Sequence, residues 1–366
     1  LRILIVGAGL YGAVCAHELG KAGHQCRVIE KRDHVGGNIF TRYNEEAQCH
    51  EHVYGAHIFH TNNTDIWNYM NRFTEFNNYV NRVKVNFRNK IYSFPINLMT
   101  ISQIFGSTNP QEAMAAVEQD KIKFENFQNM EEFCLNAIGQ KMYATFIEGY
   151  TKKQWGRHPR DLPADIVKRL PVRYNFDDNY FNDKYQGIPI GGYTAIISRM
   201  FGETPIELGI DFFSDREKYL DEADLVIYTG SIDAFFDYKF GVLEYRSLRF
   251  EREIVPVGDF QGNAVINYTE ESVPYTRIIE HKHFDMNYKS QKTLITREYP
   301  DEWGVGKTEY YPINDAKNNE TYNQYKFRTK SFERKVHFGG RLGEYKYYDM
   351  HQVVGAALKF CKSITG

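Results

Sequence analysis

Gly7, Gly9 and Gly12 stand in the spacing G-x-G-x-x-G, with an acidic residue, Glu30, about 20 positions further on. Glycines placed this way let the backbone approach a pyrophosphate at the positive end of a helix, while the carboxylate accepts hydrogen bonds from a ribose. Towards the other end, VHFGGRLGEYKYYDMHQ (336–352) sets Gly339, Gly340 and Gly343 just ahead of Tyr345, Tyr347, Tyr348 and Asp349. It reads as a turn suited to close backbone approach that runs at once into phenols. In MYATFIEGYTKKQWGRHP (142–159), Phe146 and Tyr150 are four apart and Trp155 follows, so on a helix the pair shares a face with a gap for a flat ring. Such a stripe is also the commoner mark of core packing. Residues 160–181 form a basic stretch broken by Pro163 and Pro171, either a lid that carries a guanidinium to a phosphate or a plain solvated loop. His52, His57 and His60 flank Gly55, but no carboxylate pattern joins them and a metal is not expected. His57, beside a glycine, is instead suited to approach a cofactor ring. Arg277, Tyr310 and Tyr311 add a cation and two phenols.

The elements that must position these residues follow from pattern. A chain of 366 residues with 42% hydrophobic content can bury a large core and hold two or three sub-domains. The net charge of -2, without a block of like charges, points away from nucleic acid and membrane surfaces and towards a small molecule. No apolar run reaches the ~18 residues of a membrane helix, and the chain opens on a strand pattern with no signal peptide, so a soluble cytoplasmic protein is expected. Five cysteines without C-x-x-C spacing read as reduced packing residues. Aromatic content is 15%, with 27 Tyr and 26 Phe, which suits half-wet surfaces. Residues 1–37 read as strand, glycine turn, helix and strand. The run ADLVIYTG (223–230) is a second buried strand stopped by Thr-Gly. Residues 97–170 show helical spacing and 246–312 show alternation. The expected architecture is α/β. A Rossmann-like domain is assembled from 1–75, 190–240 and 315–366. A helical sub-domain spans 97–170 with a lid at about 157–181, and an antiparallel sheet is built from 76–96, 182–189 and 241–314.

The Gly36-Gly37 pair after Glu30 and the later strand ending in "TG" resemble the flavoprotein superfamily of glutathione reductase and the amine oxidases, in which they close around the adenosine half of FAD. No second G-x-G-x-x-G occurs, so a built-in NAD(P)H site is not expected. Over essentially the whole chain, VIEKRDHVGGN, YGAHIFHT, EGYTKKQWG, the arginine lid, YTRIIEHK and GGRLGEYKYYDM make the sequence similar to the bacterial UDP-galactopyranose mutases. That resemblance implies a non-redox isomerisation of UDP-galactopyranose to UDP-galactofuranose, a precursor of surface polysaccharide. Reduced FAD would attack sugar C1 through N5, with UDP as leaving group. It implies FAD contacts from Gly7, Gly9, Tyr11, Gly12, Glu30, Lys31, Gly37, Asn38, His57, Ile58, Arg341 and Met350. Arg169 and Arg277 would clamp the diphosphate, with His57, Tyr347 and Asp349 completing the catalytic set. Phe146 and Tyr150 would sandwich the uracil; Asn81, Thr151, Trp155, Tyr180, Asn267 and Tyr311, with Arg246 in a second tier, would complete the substrate contacts. An external reductant, NAD(P)H or a reductase, and a homodimer are further implications. The rival reading is an amine-oxidase-type flavoenzyme with an apolar substrate site. Whether an N-acetylated sugar is also accepted is left open.

Overall fold

Alternation along Arg2–Val6 decides which side chain faces which layer. In the computed structural model, which describes residues 1–167, 172–286, 289–332 and 335–366, this strand is central to a five-stranded parallel sheet. Its order is Val336–Phe338, Leu225–Tyr228, Arg2–Val6, Gln25–Glu30, Ile206–Leu208. Ile3 and Ile5 pack under the helices Leu10–Lys21, Gly192–Phe201 and Met350–Thr365, against Val14, Ile197 and Val354. Leu4 and Val6 point the other way, into a cluster with Ile29, Phe212, Tyr228 and Phe235. Burial on both faces explains why the strand reads as a continuous apolar run. The turn that follows is set by sterics. Gly7 has φ +110°, and a Cβ there would sit 2.1 Å from Thr229 Oγ1.

The second sheet runs in the order Tyr311–Pro312, Tyr245–Val255, Thr293–Asp301, Arg277–Glu280, Val265–Tyr268, Lys84–Phe87, Lys90–Ser93. It is antiparallel, as the alternation suggested, apart from the parallel pairing of Val265–Tyr268 with Lys84–Phe87. Those two strands come from distant segments, so no hairpin forces them to oppose. Helices Leu98–Phe105, Pro110–Asp120 and Met130–Met142 each start on an asparagine, Asn97, Asn109 and Asn129, whose side chain accepts from backbone N–H groups of the first turn. They enclose a core of Ile101, Val117, Ile138 and Met142. A π-helical stretch, Tyr143–Glu148, then leads into helix Gly149–Trp155. That helix rests on the sheet backbone. A Cβ at Gly149 would lie 2.4 Å from Thr269 O, and Lys153 Nζ donates to Tyr268 O (2.6 Å) and Tyr275 O (2.9 Å). Beyond it, Arg173 donates to Asn179 O and to Asn182 Oδ1, both at 2.6 Å, which ties down the end of the basic stretch. Among the described residues no helix is long and apolar enough to cross a membrane.

The third glycine of the motif is a packing residue. A Cβ on Gly12 would meet Gly7 O at 2.2 Å and Ile5 Cγ2 at 3.1 Å, whereas nothing lies within 4 Å of one on Gly20 in the same helix. Gly12→Ala should destabilise the protein by ~1–3 kcal/mol through overpacking, and Gly20→Ala should stabilise it by ~0.5–1 kcal/mol through helix propensity. Urea midpoints at unchanged slope measure both; a Gly12→Ala protein as stable as its parent would refute the packing account.

Candidate active site

A cavity of about 430 Å³ opens at the C-terminal edge of the parallel sheet. Gly7, Gly9, Tyr11, Glu30, Lys31, Gly37, Asn38, His57, Arg341 and Met350 line it, joined by Arg32, Thr229 and Gly340. Gly12 and Ile58 stand outside its wall, Gly12 for the packing reason above and Ile58 because it packs against a neighbouring apolar cluster. Gly9 and Gly37 bring two backbones together, since a Cβ on Gly37 would lie 3.2 Å from Gly9 Cα. Glu30 accepts from Ala8 N at 2.8 Å and Arg32 N at 2.9 Å, so its carboxylate shapes the turn and keeps lone pairs for a ligand. The Arg32 guanidinium lies over Tyr54, 4.4 Å from the ring centroid, and its buried Nη1 has no hydrogen-bond partner among the described residues. A glycine cradle at a helix N-terminus, a carboxylate at the strand end and an unmet guanidinium donor suit a dinucleotide pyrophosphate and ribose.

The late glycine turn lines the cavity at Gly340 and also packs closely on the parallel sheet. A Cβ on Gly339 would sit 2.3 Å from the Tyr11 ring, and one on Gly343 would sit 3.1 Å from Tyr228 O. These glycines bring helix Gly340–Gly343 against the parallel sheet and aim Arg341 into the cavity. Arg341 donates to Tyr310 O at 2.8 Å and Tyr348 O at 2.6 Å. Tyr345 is a packing residue, only 2% exposed, whose hydroxyl donates to Glu244 O and Ile313 O.

Arg341 also borders a second, polar cluster. Its guanidinium lies 5.4 and 5.5 Å from the ring centroids of Tyr311 and Tyr347, which stack at 5.1 Å. Strand register places Asn267 opposite Arg277 and Arg277 opposite Glu298, so the three form one row across the sheet. Arg277 Nε lies 3.2 Å from Glu298 Oε1, and its Nη2 donates to the Tyr150 hydroxyl at 3.1 Å. Tyr180 and Asp349 lie close enough to interact electrostatically with each other and with this group. The backbone N–H of Tyr180 donates to Asn81 O at 2.8 Å, and Asn81 Oδ1 accepts from Tyr79. Burial, more than the nearby Glu298 charge, raises the Tyr311 phenol above its ordinary value, so it is a neutral donor at pH 7. Arg246, paired across strands with Tyr311, stacks on Trp155 at 4.0 Å, and burial followed by the charge of Arg157 lowers it to about 10. Among the described residues, the buried Arg246 Nε and Asn267 Oδ1 have no hydrogen-bond partner, and Arg277 Nε has only its ion pair with Glu298.

Not every expected contact is gathered in. Phe146 is 3% exposed, packed on Tyr92 and Phe94 inside the helical core, and Thr151 is buried. Phe146 lies in the π-helical stretch with its ring taken up by that core, whereas the Tyr150 hydroxyl reaches Arg277. Arg169 lies outside the described residues. The carboxylate absent near His60 in sequence comes from Asp349, which with His60 and His351 brings donor atoms within 4.8 Å of one another. Glu298 and Arg32 were not singled out from sequence. Only sheet register links Glu298 to Arg277, while the position of Arg32, two residues after Glu30, was an available signal.

Residues 145–347 match the family model described as UDP-galactopyranose mutase, and residues 5–73 match an NAD(P)-binding Rossmann-like domain. A probable UDP-galactopyranose mutase of Klebsiella pneumoniae is 43% identical over 363 residues, 98% of this chain and 93% of that one. The chain belongs to the UDP-galactopyranose mutase family. Flavin-dependent isomerisation is the activity of that family. A dTDP-fucopyranose mutase of Escherichia coli is 38% identical across 98% of this chain and 97% of its own length. The fold is similar to a crystal structure of reduced UDP-galactopyranose mutase, with TM-score 0.75 and 14% identity, covering 99% of this chain and 93% of that one.

The imidazole on the cavity wall is held neutral in this member of the mutase family. Burial takes His57 down to about 4 against the pull of its hydrogen bond to Gly55 O, and Arg341 adds to the fall. Burial likewise takes His281 to about 4, with Glu51 opposing. Below the ordinary imidazole value near 6.5 the unfolded chain binds protons that these folded side chains refuse. Their contribution to stability is therefore full above about 6.5 and is lost as the pH falls towards 4. The denaturant midpoint should be lower at pH 5 than at pH 7, and the fall should be shallower in His281→Asn. Equal pH slopes in the two proteins would contradict this account.

Proposed function

We propose that this protein interconverts the pyranose and furanose forms of galactose on UDP, using FAD in its reduced state. The observation that carries the reading is Arg341, which faces the dinucleotide cavity and the arginine–tyrosine cluster at once. Gly7, Gly9, Gly37, Glu30, Arg32 and Asn38 would hold the FAD, which when bound and reduced supplies an electron-rich nucleophilic centre. The rest is work for this chain's own side chains. Arg277, fixed by Glu298, would meet the diphosphate oxygens together with the hydroxyls of Tyr180, Tyr311 and Tyr347, stabilising charge as the diphosphate departs. Arg169 would bring a second guanidinium from the 157–181 segment. Tyr150 and Trp155 would flank the base, with Phe146 backing them from the core. Neutral His57 would keep its Nδ1 proton on Gly55 O and leave a lone pair, not a charge, on the cavity wall. Asp349 would orient the phenols beside it. Segments 1–75, 190–240 and 315–366 would form the cofactor unit, with the helical and sheet units closing over the sugar nucleotide. An external reductant, NAD(P)H or a reductase, would keep the flavin reduced.

A second reading, a dTDP-linked 6-deoxy sugar as substrate, is favoured by the similarity to the dTDP-fucopyranose mutase. Purified yellow protein incubated with each sugar nucleotide, with and without dithionite, separates the two. Conversion of UDP-galactofuranose only under reduction is expected. Turnover of the dTDP sugar alone would replace the substrate, and steady peroxide formation from an amine would overturn the isomerase reading. Arg277→Ala should lower kcat by about 10²–10³-fold, and Arg277→Lys should recover only part of it. An Arg277→Ala protein within twofold of its parent, a margin of about 0.4 kcal/mol, would exclude Arg277 as a clamp.

A further inference from the structure

His60 takes no part in the contacts proposed above, yet it stands where three segments meet. It lies in strand Phe59–Thr61, paired antiparallel with Tyr185–Gly187. Its Nδ1 lies 2.5 Å from Asp183 Oδ2, and Asn62 Nδ2 donates to the other oxygen of the same carboxylate. Its ring stacks on Phe181 at 3.7 Å and 10°. Phe181 in turn meets the neighbouring Tyr180 edge-on at 5.1 Å. On its other side, His60 meets the His351 ring edge-on at 5.4 Å, near the start of helix Met350–Thr365 and beside Asp349.

We propose that His60 is a positioning residue that couples the segment carrying Tyr180 to the segment carrying Tyr347 and Asp349. It thereby sets the spacing across the nucleotide-sugar site. The inference rests on the reading of that site given above. Its physical basis is rigidity. A carboxylate bound on both oxygens and a stacked ring leave residues 180–183 little freedom, while the His351 contact passes the same constraint to the helix N-terminus. Tyr180 is held locally through its backbone N–H on Asn81 O and Tyr347 through its stack on Tyr311, whereas the His60 contacts span the two segments; a displacement of about 1 Å between such phenols is enough to weaken a shared phosphate contact.

A double-mutant cycle read by UDP calorimetry on the flavin-loaded protein tests the coupling. Tyr180→Phe should weaken UDP binding about 5- to 20-fold in the parent but less than about twofold in His60→Ala, whose displaced phenol has little left to lose. His60→Phe keeps the stack and His60→Asn keeps a donor for Asp183, so each should restore part of the cost; either replaces His60→Ala if that variant loses flavin. Additive costs with an unchanged flavin spectrum would overturn the proposal. Amide exchange on the unliganded protein decides independently. In His60→Ala, residues 178–187 and 347–352 should loosen together, and loosening confined to 178–187 would also overturn it. A parent that fails to bind UDP would sink the reading of the site, while the exchange result would still decide whether His60 couples the two segments.

Discussion

Arg341 is held by two backbone carbonyls, those of Tyr310 and Tyr348, and everything proposed for the site depends on that restraint. An arginine free to move would fold onto the nearest carboxylate or reach for water. With donors committed to the backbone, its planar face stays beside Tyr311 and Tyr347 while its edge faces the dinucleotide cavity. The restraint is built from small residues. Gly339 packs on the Tyr11 ring and Gly343 on Tyr228 O, so the short helix bearing Arg341 sits closer to the parallel sheet than any larger residue would permit. Tyr11 is fixed in turn by a 2.7 Å contact between its hydroxyl and His337 Nε2.

The same logic explains how the second cation is placed. Arg277 sits in a strand, and its neighbours on either side, Asn267 and Glu298, come from strands that register sets exactly one step away on each side in the sheet. Glu298 is nearly fully buried, so the pair cannot dissolve into solvent, and the partly filled guanidinium retains directionality towards Tyr150. A buried ion pair of this kind adds little net stability. What it provides here is orientation.

How much of this was legible in the sequence depended on range. The strand, glycine turn and helix at 2–21 were readable because every interaction involved is local, and Gly7, Gly9 and Glu30 line the cavity as spacing suggested. The late glycine turn was recognised, but its close approaches are to Tyr11 and Tyr228, which lie far away in sequence. Phe146 was out of reach for a similar reason, since the partners that take its ring into the core, Tyr92 and Phe94, are about fifty residues away in sequence. The Asn267–Arg277–Glu298 row and the meeting of His60 with Asp349 required register and topology, which no local pattern contains.

The unmet polar atoms discriminate between the family chemistry and the oxidase alternative. Leaving a buried donor or acceptor unpaired costs about 1–3 kcal/mol, and among the described residues this site leaves a donor, Arg246 Nε, and, on another strand of the sheet, an acceptor, Asn267 Oδ1. A ligand that repays both must offer anionic or carbonyl oxygens on one side and an N–H or O–H on the other. A nucleotide sugar carries diphosphate oxygens, a base imide N–H and sugar hydroxyls in one molecule. A protonated amine offers no acceptor for Arg246 and would be repelled by the guanidinium groups of Arg246, Arg277 and Arg341. Polar complementarity, rather than shape alone, therefore favours the isomerase reading: an amine would leave the site's costliest groups unsatisfied, and the sugar nucleotide would satisfy them on binding.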